Sequence, residues 1–259
     1  MGKFAVGLVL LINGLVPPTR VHRELASAKD TVANYQAWEY MEIRRIFPEF
    51  GLHFDLRGKR VLDIGSGLGG KLRFYAEQGV SEVVGIDLRY KSLQSASSLF
   101  RVGESEPDAP IHLTLADGAK LPFLRDSFDI IVSVNVLEHV DDPESVLAEC
   151  RRVLAPDGLL FLHFPPFHSP WGPHLDGWIN WPWPHLFFDE KDLVAAAACV
   201  EDQLHLNDKF IPSAKVNWRQ FNELPELNRL TLGAFGRMVR RLGFRRMQWD
   251  LLPLGRHYL

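Results

Sequence analysis

Ten consecutive residues carry the strongest chemical signal in the sequence. Val61-Leu62-Asp63-Ile64 is a short apolar run with β-branched residues, and Gly65-Ser66-Gly67-Leu68-Gly69-Gly70 follows it. A helical pattern then runs from Lys71 to about Gln78. Strand, tight turn and helix in that order place backbone N–H groups at a helix start, where polar or anionic ligand atoms are held. Glycine lets a ligand approach without a Cβ in the way. The spacing fits two patterns. Gly65, Gly67 and Gly70 match G-x-G-x-x-G, the dinucleotide fingerprint, while Gly65, Gly67 and Gly69 match G-x-G-x-G with Asp63 in front.

Further along, acidic residues recur where strands end. Glu82–Asp87 reads as a second strand, and Asp87 stands at its tip, 18 positions after Gly69. A carboxylate there can accept two hydrogen bonds from a ribose diol. Ile111–Leu115 is a third strand, followed by Asp117, Gly118 and Ala119. Ile130–Val134 is apolar on both faces, as a central parallel strand should be, and closes on Asn135-Val136-Leu137-Glu138-His139-Val140. Pro143 opens a helix to about Leu154, Pro156-Asp157-Gly158 reads as a turn, and Leu159–Phe164 is a fifth strand. Strands and helices alternating at this rhythm predict a doubly wound, mostly parallel α/β sheet.

The flanking regions differ in character. Phe4–Val16 is apolar except for Asn13. It is too short to span a bilayer comfortably, and it reads as a packed or partner-facing segment, with membrane contact through residues 4–16 less favoured. A helix from about Ser27 or Asp30 to Phe47 precedes the sheet, with Val32, Tyr35, Trp38, Glu39, Ile43 and Ile46 near helical spacing. After the fifth strand, Pro165–Pro184 holds six prolines and four tryptophans, Trp171, Trp178, Trp181 and Trp183. A loop of this length and aromaticity reads as an ordered lid or substrate wall, and the competing reading is a hydrophobic plug packed on the N-terminal segment. Helices follow over about 189–200 and 231–241, and Phe244–Leu252 reads as a strand. The expected divisions are 1–57, an apolar segment and helical cap; 58–164, the core; 165–225, the aromatic region; and 226–259, a helix and strand completing the core.

Composition narrows the function. The 259 residues carry a formal charge of −3 with no long basic run, which speaks against nucleic-acid binding. The two cysteines, Cys150 and Cys199, lie in helical patterns and read as reduced, which fits the cytoplasm. No G-x-S-x-G elbow or G-x-x-x-x-G-K-[ST] phosphate loop occurs.

Taken together, VLDIGSGLGG (61–70), VVGIDL (83–88), LADGAKLPF (115–123), DSFDIIVSVNVLEHV (126–140) and RRVLAPDGLLFL (151–162) resemble the class I S-adenosylmethionine (SAM) methyltransferases of the broad type-11 group. The resemblance implies SAM as cofactor and a Rossmann-like fold. It implies that Asp63 and the backbone from Gly65 through Ser66 and Gly67 to Gly69 hold the methionine part. Asp87, with Leu88 beside it, would take the ribose, Asp117, Gly118 and Ala119 the adenine, and Asn135 would face both SAM and substrate. A hairpin of two further strands should close the sheet. Only Phe244–Leu252 is clear here, and an unpaired edge would favour a homodimer. The other readings are a nucleotide-dependent oxidoreductase of related fold and a non-catalytic SAM-binding or scaffold protein.

Methyl transfer needs positioning, water exclusion and, for a hydroxyl acceptor, a base. The base candidates are His139, His168 and His174, with His185 behind them, whereas His163 lies inside the fifth strand and reads as packed. The spacing of His168, His174, Asp176 and His185 matches no usual ligand set, so no metal is expected. The tryptophans suit a small-molecule acceptor of flat aromatic or sugar-like form, and the apolar N-terminus suits a lipid-linked one.

Overall fold

The computed structural model describes residues 2–17, 31–49, 55–102, 109–175, 178–204 and 227–245. The chain divides into two compact units, one of residues 1–34, 165–231 and 251–259, the other of 35–164 and 232–250.

The second unit holds the sheet. Its strands are β1 (Arg60–Ile64), β2 (Glu82–Asp87), β3 (Ile111–Leu115), β4 (Phe128–Val134) and β5 (Leu154–His163). They lie in the order β3-β2-β1-β4-β5, and every pairing is parallel. The doubly wound class expected from the sequence is therefore what forms. Parallel strands need helical crossovers that cover both faces, and β1, β2 and β4 are buried along nearly their whole lengths. The chain turns back between β1 and β4, the switch point at which open α/β sheets place ligands.

The strands match expectation to within a residue or two, except at β5. There Phe128 pairs with Leu154 and Ile130 with Leu159, so the Pro156-Asp157-Gly158 segment bulges within the strand rather than standing before it as a turn.

Helix α2 (Val32–Glu49) precedes the sheet, and α3 (Gly70–Ala76), α4 (Tyr90–Val102) and α5 (Pro143–Val153) link its strands. Helix α5 starts as the sequence indicates: Asp142 accepts from the N–H groups of Glu144 and Ser145, and Pro143 occupies the first turn. One core cluster joins α2 to the sheet through Ile43, Ile46, Phe47, Tyr75, Val132 and Phe161. Phe47 meets Phe74 edge-on at 5.7 Å and Phe161 at 5.4 Å, both favourable ring geometries. The last helix of this unit is a ten-residue segment, Leu232–Arg241, whose buried side chains include Phe235 and Val239.

The first unit has its own core. Helix α1 (Gly2–Leu15) packs on α6 (Glu190–Leu204), with Val9, Leu175, Trp178, Ile179, Trp181, Leu193 and Ala197 buried together. Asn13, the polar exception in the apolar run, donates from Nδ2 to the Trp178 carbonyl at 2.8 Å and accepts from the Asn180 N–H at 2.6 Å. A buried backbone group without a partner is costly, so Asn13 serves the turn rather than α1. Two of the four tryptophans, Trp178 and Trp181, are thus core residues packed with α1, and this part of the aromatic segment takes the plug form. The opposite face of α1 exposes Phe4, Leu11 and Leu15. Among the described residues no helix is long and apolar enough to cross a membrane. The strand expected over Phe244–Leu252 lies outside the described residues beyond Arg245.

Candidate functional site

Every amide of the glycine loop is hydrogen-bonded. Gly65 and Ser66 donate to the Ile86 carbonyl at 2.9 and 2.8 Å, and Gly69 donates to the Ser66 carbonyl at 3.2 Å. Gly67 donates to Asp87 Oδ2 at 3.1 Å. Leu68 and Gly70 donate to the two oxygens of Glu39, at 3.1 and 2.9 Å. Gly65, Gly67 and Gly69 have φ of 71°, 60° and 90°, a region that residues with a Cβ avoid. The loop's shape is thus written into its glycines, and its hydrogen bonds come from β2 and α2.

Charge is concentrated behind the loop. Asp63 is fully buried, and neither carboxylate oxygen has a hydrogen-bond partner among the described residues. Lys71 Nζ lies 3.8 Å from Asp63 and donates to the Gly65 carbonyl at 3.0 Å. Burial raises the Asp63 pKa to about 6, against the pull of Lys71. Burial likewise raises Glu39 and Glu42 to about 7 each, with Lys71 the largest opposing charge in both cases. Burial works against the Lys71 ammonium too, but Asp63, Glu39, Glu42 and Asp87 outweigh it and its pKa is raised.

These shifts have a consequence for stability. Three carboxyls bind protons more tightly folded than unfolded, so ionising them opposes folding. Stability from this cluster is greatest below the ordinary carboxylate pKa, near 4 to 4.5, and falls as pH rises through about 6 to 7. Glu149 and Asp142, whose pKa values are lowered by Arg152 and by Ser145, act in the opposite sense and only below that window. The urea midpoint of the full chain is therefore expected to be lower at pH 8 than at pH 5.5, with Glu39→Gln narrowing the gap. Equal midpoints at the two pH values in the unmodified protein would refute the burial argument.

The other strand ends are distinct. Asp87 Oδ1 accepts from the Arg89 N–H at 2.8 Å, and the side chain is 6% exposed. Leu88 next to it is 67% exposed. Asp117 is exposed, with Oδ1 accepting from the Ala119 N–H at 2.9 Å. Asn135, at the end of β4, holds φ of 55°, which is uncommon for a residue with a Cβ and clusters at functional positions. Its Nδ2 donates to Glu42 Oε1 at 3.4 Å, and its Oδ1 meets His163 Nδ1 at 3.2 Å. His163 is thus a partner of Asn135 as well as a strand residue.

The structure brings Asp63, Gly65, Ser66, Gly67, Gly69 and Asp87 together around one loop and sets Asp117 after β3, beside β2, and Asn135 after β4, beside β1. The base candidates divide between the units. His139 lies in the second, beside Glu138 at 3.9 Å. His168 and His174 lie in the first, where His168 stacks on His185 with ring centres 6.2 Å apart. The sequence reading missed Glu42 and Lys71, and it took Glu39 only as a face residue of a helix. The available signal was a pair of carboxylates on the face that also carries Ile43 and Ile46.

Residues 62–162 match the family model described as a methyltransferase domain. The strand order, the glycine loop and the strand-end acids all fall within or beside that span. This stretch of the chain is therefore similar to a methyltransferase domain. Among curated proteins, the chain is 36% identical over 112 residues to a ubiquinone biosynthesis O-methyltransferase of Neisseria meningitidis serogroup C, covering 42% of this chain and 45% of that one. It is 34% identical over 117 residues to an uncharacterized methyltransferase of Mycobacterium marinum, covering 45% and 43%. The chain thus spans somewhat under half the length of these relatives. Among solved structures, it resembles a chain of the complex between the Haloferax volcanii Trm112 methyltransferase activator and a methyltransferase, with TM-score 0.51 and 16% identity over 88% of this chain and 77% of that one. That likeness concerns the fold alone.

The donor set fits SAM, the cofactor that the resemblance to methyltransferases implies. Asp63 is a buried carboxylate with both oxygens unbonded, which suits an ammonium group. A Cβ at Gly67 would run into Glu39, and one at Gly65 into Val136, so the loop is shaped for close approach by other groups.

Proposed function

We propose that the protein transfers the methyl group of SAM to an oxygen, nitrogen or carbon atom of a small molecule. The observation that carries this reading is the set of acids on three adjacent parallel strands, Asp63 in β1, Asp87 at the end of β2 and Asp117 after β3, flanking a glycine loop at the sheet's switch point. Bound SAM supplies an electrophilic methyl group on a sulfonium. Asp63 and the loop from Gly65 through Ser66 and Gly67 to Gly69 would hold its amino-acid end. Asp87 would accept from both ribose hydroxyls, with Leu88 offering an apolar face beside them. Asp117 would accept from the adenine amino group, with Gly118 and Ala119 against the ring, and Asn135 would face the methyl group.

The Neisseria relative is by name an O-methyltransferase, and the same acceptor atom here would require a base. The candidates for that role are His139, His168 and His174. The composition of the tryptophan-rich segment and of the apolar N-terminal run suits an aromatic, sugar-like or lipid-linked acceptor.

The test is titration of the purified protein with SAM and, separately, NAD, followed by incubation with methyl-labelled SAM and a small-molecule extract. SAM binding with label appearing in an extract compound is the expected result. Binding of NAD without SAM would replace this reading with an oxidoreductase.

A further inference from the structure

Glu39 and Lys71 make a pattern that neither residue makes alone. The Glu39 carboxylate sits on the N–H groups of Leu68 and Gly70, at 3.1 and 2.9 Å. The Lys71 ammonium sits on the Gly65 carbonyl, at 3.0 Å, and faces Asp63 at 3.8 Å. A carboxylate on loop N–H groups and an ammonium between a loop carbonyl and a buried acid are the contacts that a free α-amino acid would make there. Resting on the SAM reading above, we propose that Glu39 and Lys71 are a built-in competitor for the amino-acid end of the cofactor, which takes that end of the site only by displacing them.

Burial supports this. Glu39 is 4%, Lys71 5% and Asp63 0% exposed, so α2 closes this end of the loop. Gln36 fastens the closure, donating from Nε2 to the Leu68 carbonyl at 2.8 Å and to the Ser95 carbonyl at 3.2 Å. The cofactor's carboxylate would meet Glu39 and its ammonium would meet Lys71, each a like charge in a poorly solvated place, where such contacts are costly. The ribose and adenine contacts at Asp87 and Asp117 involve neither residue. The competition therefore falls on one half of the cofactor only.

That separation supplies the test. 5′-Deoxy-5′-methylthioadenosine (MTA) has the nucleoside and S-methyl group of SAM, with a neutral thioether in place of the sulfonium, and no amino-acid end. Calorimetric titration should show the unmodified protein binding SAM and MTA within about tenfold of each other, since the charged end returns little net affinity. Glu39→Ala should tighten SAM about tenfold and leave MTA unchanged, because a like charge is removed and two N–H groups are freed. Glu39→Gln, which keeps the side chain's shape and is the variant to read if the alanine form does not fold, should move SAM in the same direction. A Glu39 that merely braces the loop would give the opposite pattern, with both ligands weakened in both variants, and that result would overturn the proposal. So would SAM binding more than a hundredfold tighter than MTA in the unmodified protein. If MTA binds and Glu39 changes do nothing to SAM, only this inference falls. If neither nucleoside binds, the SAM reading falls as well.

Discussion

Asp87→Ala is expected to weaken SAM binding about a hundredfold, as two hydrogen bonds from a ribose diol to a carboxylate contribute about 1.5 kcal/mol or more each. The structure makes Asp87 a rigid acceptor. It is held from two sides, by the Gly67 N–H at 3.1 Å and the Arg89 N–H at 2.8 Å, and it closes a strand buried along its length. Oδ2 takes only the Gly67 bond, and the further contact on Oδ1, from Arg89 Nε at 3.4 Å, comes from an exposed side chain that can swing aside, so the carboxylate can accept from a diol while staying in place. Removal has a second effect, since Gly67 loses its acceptor and the loop loses one of its ties to β2. The two contributions separate by choice of ligand. Loss of the ribose contact weakens SAM and MTA equally, whereas a disordered loop penalises SAM more. Unchanged affinity for both would mean that the end of β2 is not the ribose position.

The strand-end acids were legible in the sequence because buried parallel strands leave a simple signature. Val83, Val84 and Ile86 are continuous apolar positions, and Asp87 is the first residue where that continuity breaks. The same holds for Ile130–Val134 and Asn135. The glycines were legible because φ values of 60° to 90° admit few other residues. What fills the loop's hydrogen bonds was not legible. The acceptors for Leu68 and Gly70 come from Glu39, a residue of a different helix far back in the chain. A carboxylate among apolar positions reads locally as an imperfection of an amphipathic face, and only the fold shows which N–H groups it meets.

The aromatic segment divides along the same line. Its tryptophans announce order, since a stretch so rich in large rings has surface to bury. Their partner α1 is distant in sequence, so the choice between a wall and a plug depended on tertiary packing. Asn13 is the clearest case. In the sequence it interrupts an apolar run, and in the structure it satisfies the backbone of Trp178 and Asn180.

Gly70→Ala is expected to destabilise the protein by about 3 kcal/mol, the sum of overpacking and the hydrogen bonds lost with it. Gly70 does not have a positive φ, so the cost is not one of conformation. It is one of space. A Cβ at Gly70 would overlap the Gln36 backbone carbonyl and press on Glu39 Cβ. Backbone cannot rotate aside as a side-chain tip can, so α2 would have to withdraw. Withdrawal breaks the Gln36 bonds to Leu68 and Ser95 and the Glu39 bonds to Leu68 and Gly70. Alanine's better helix propensity returns at most about 1 kcal/mol. Gly118→Ala is the control: the nearest atoms to its Cβ would be methyl groups of Ile64 and Val146, at 3.3 and 3.6 Å, and it should cost under about 1 kcal/mol. Urea unfolding of the two variants measures the difference. A Gly70→Ala protein as stable as the unmodified one would show that α2 is not seated on the glycine loop, and the closed amino-acid end of the site would then have no structural basis.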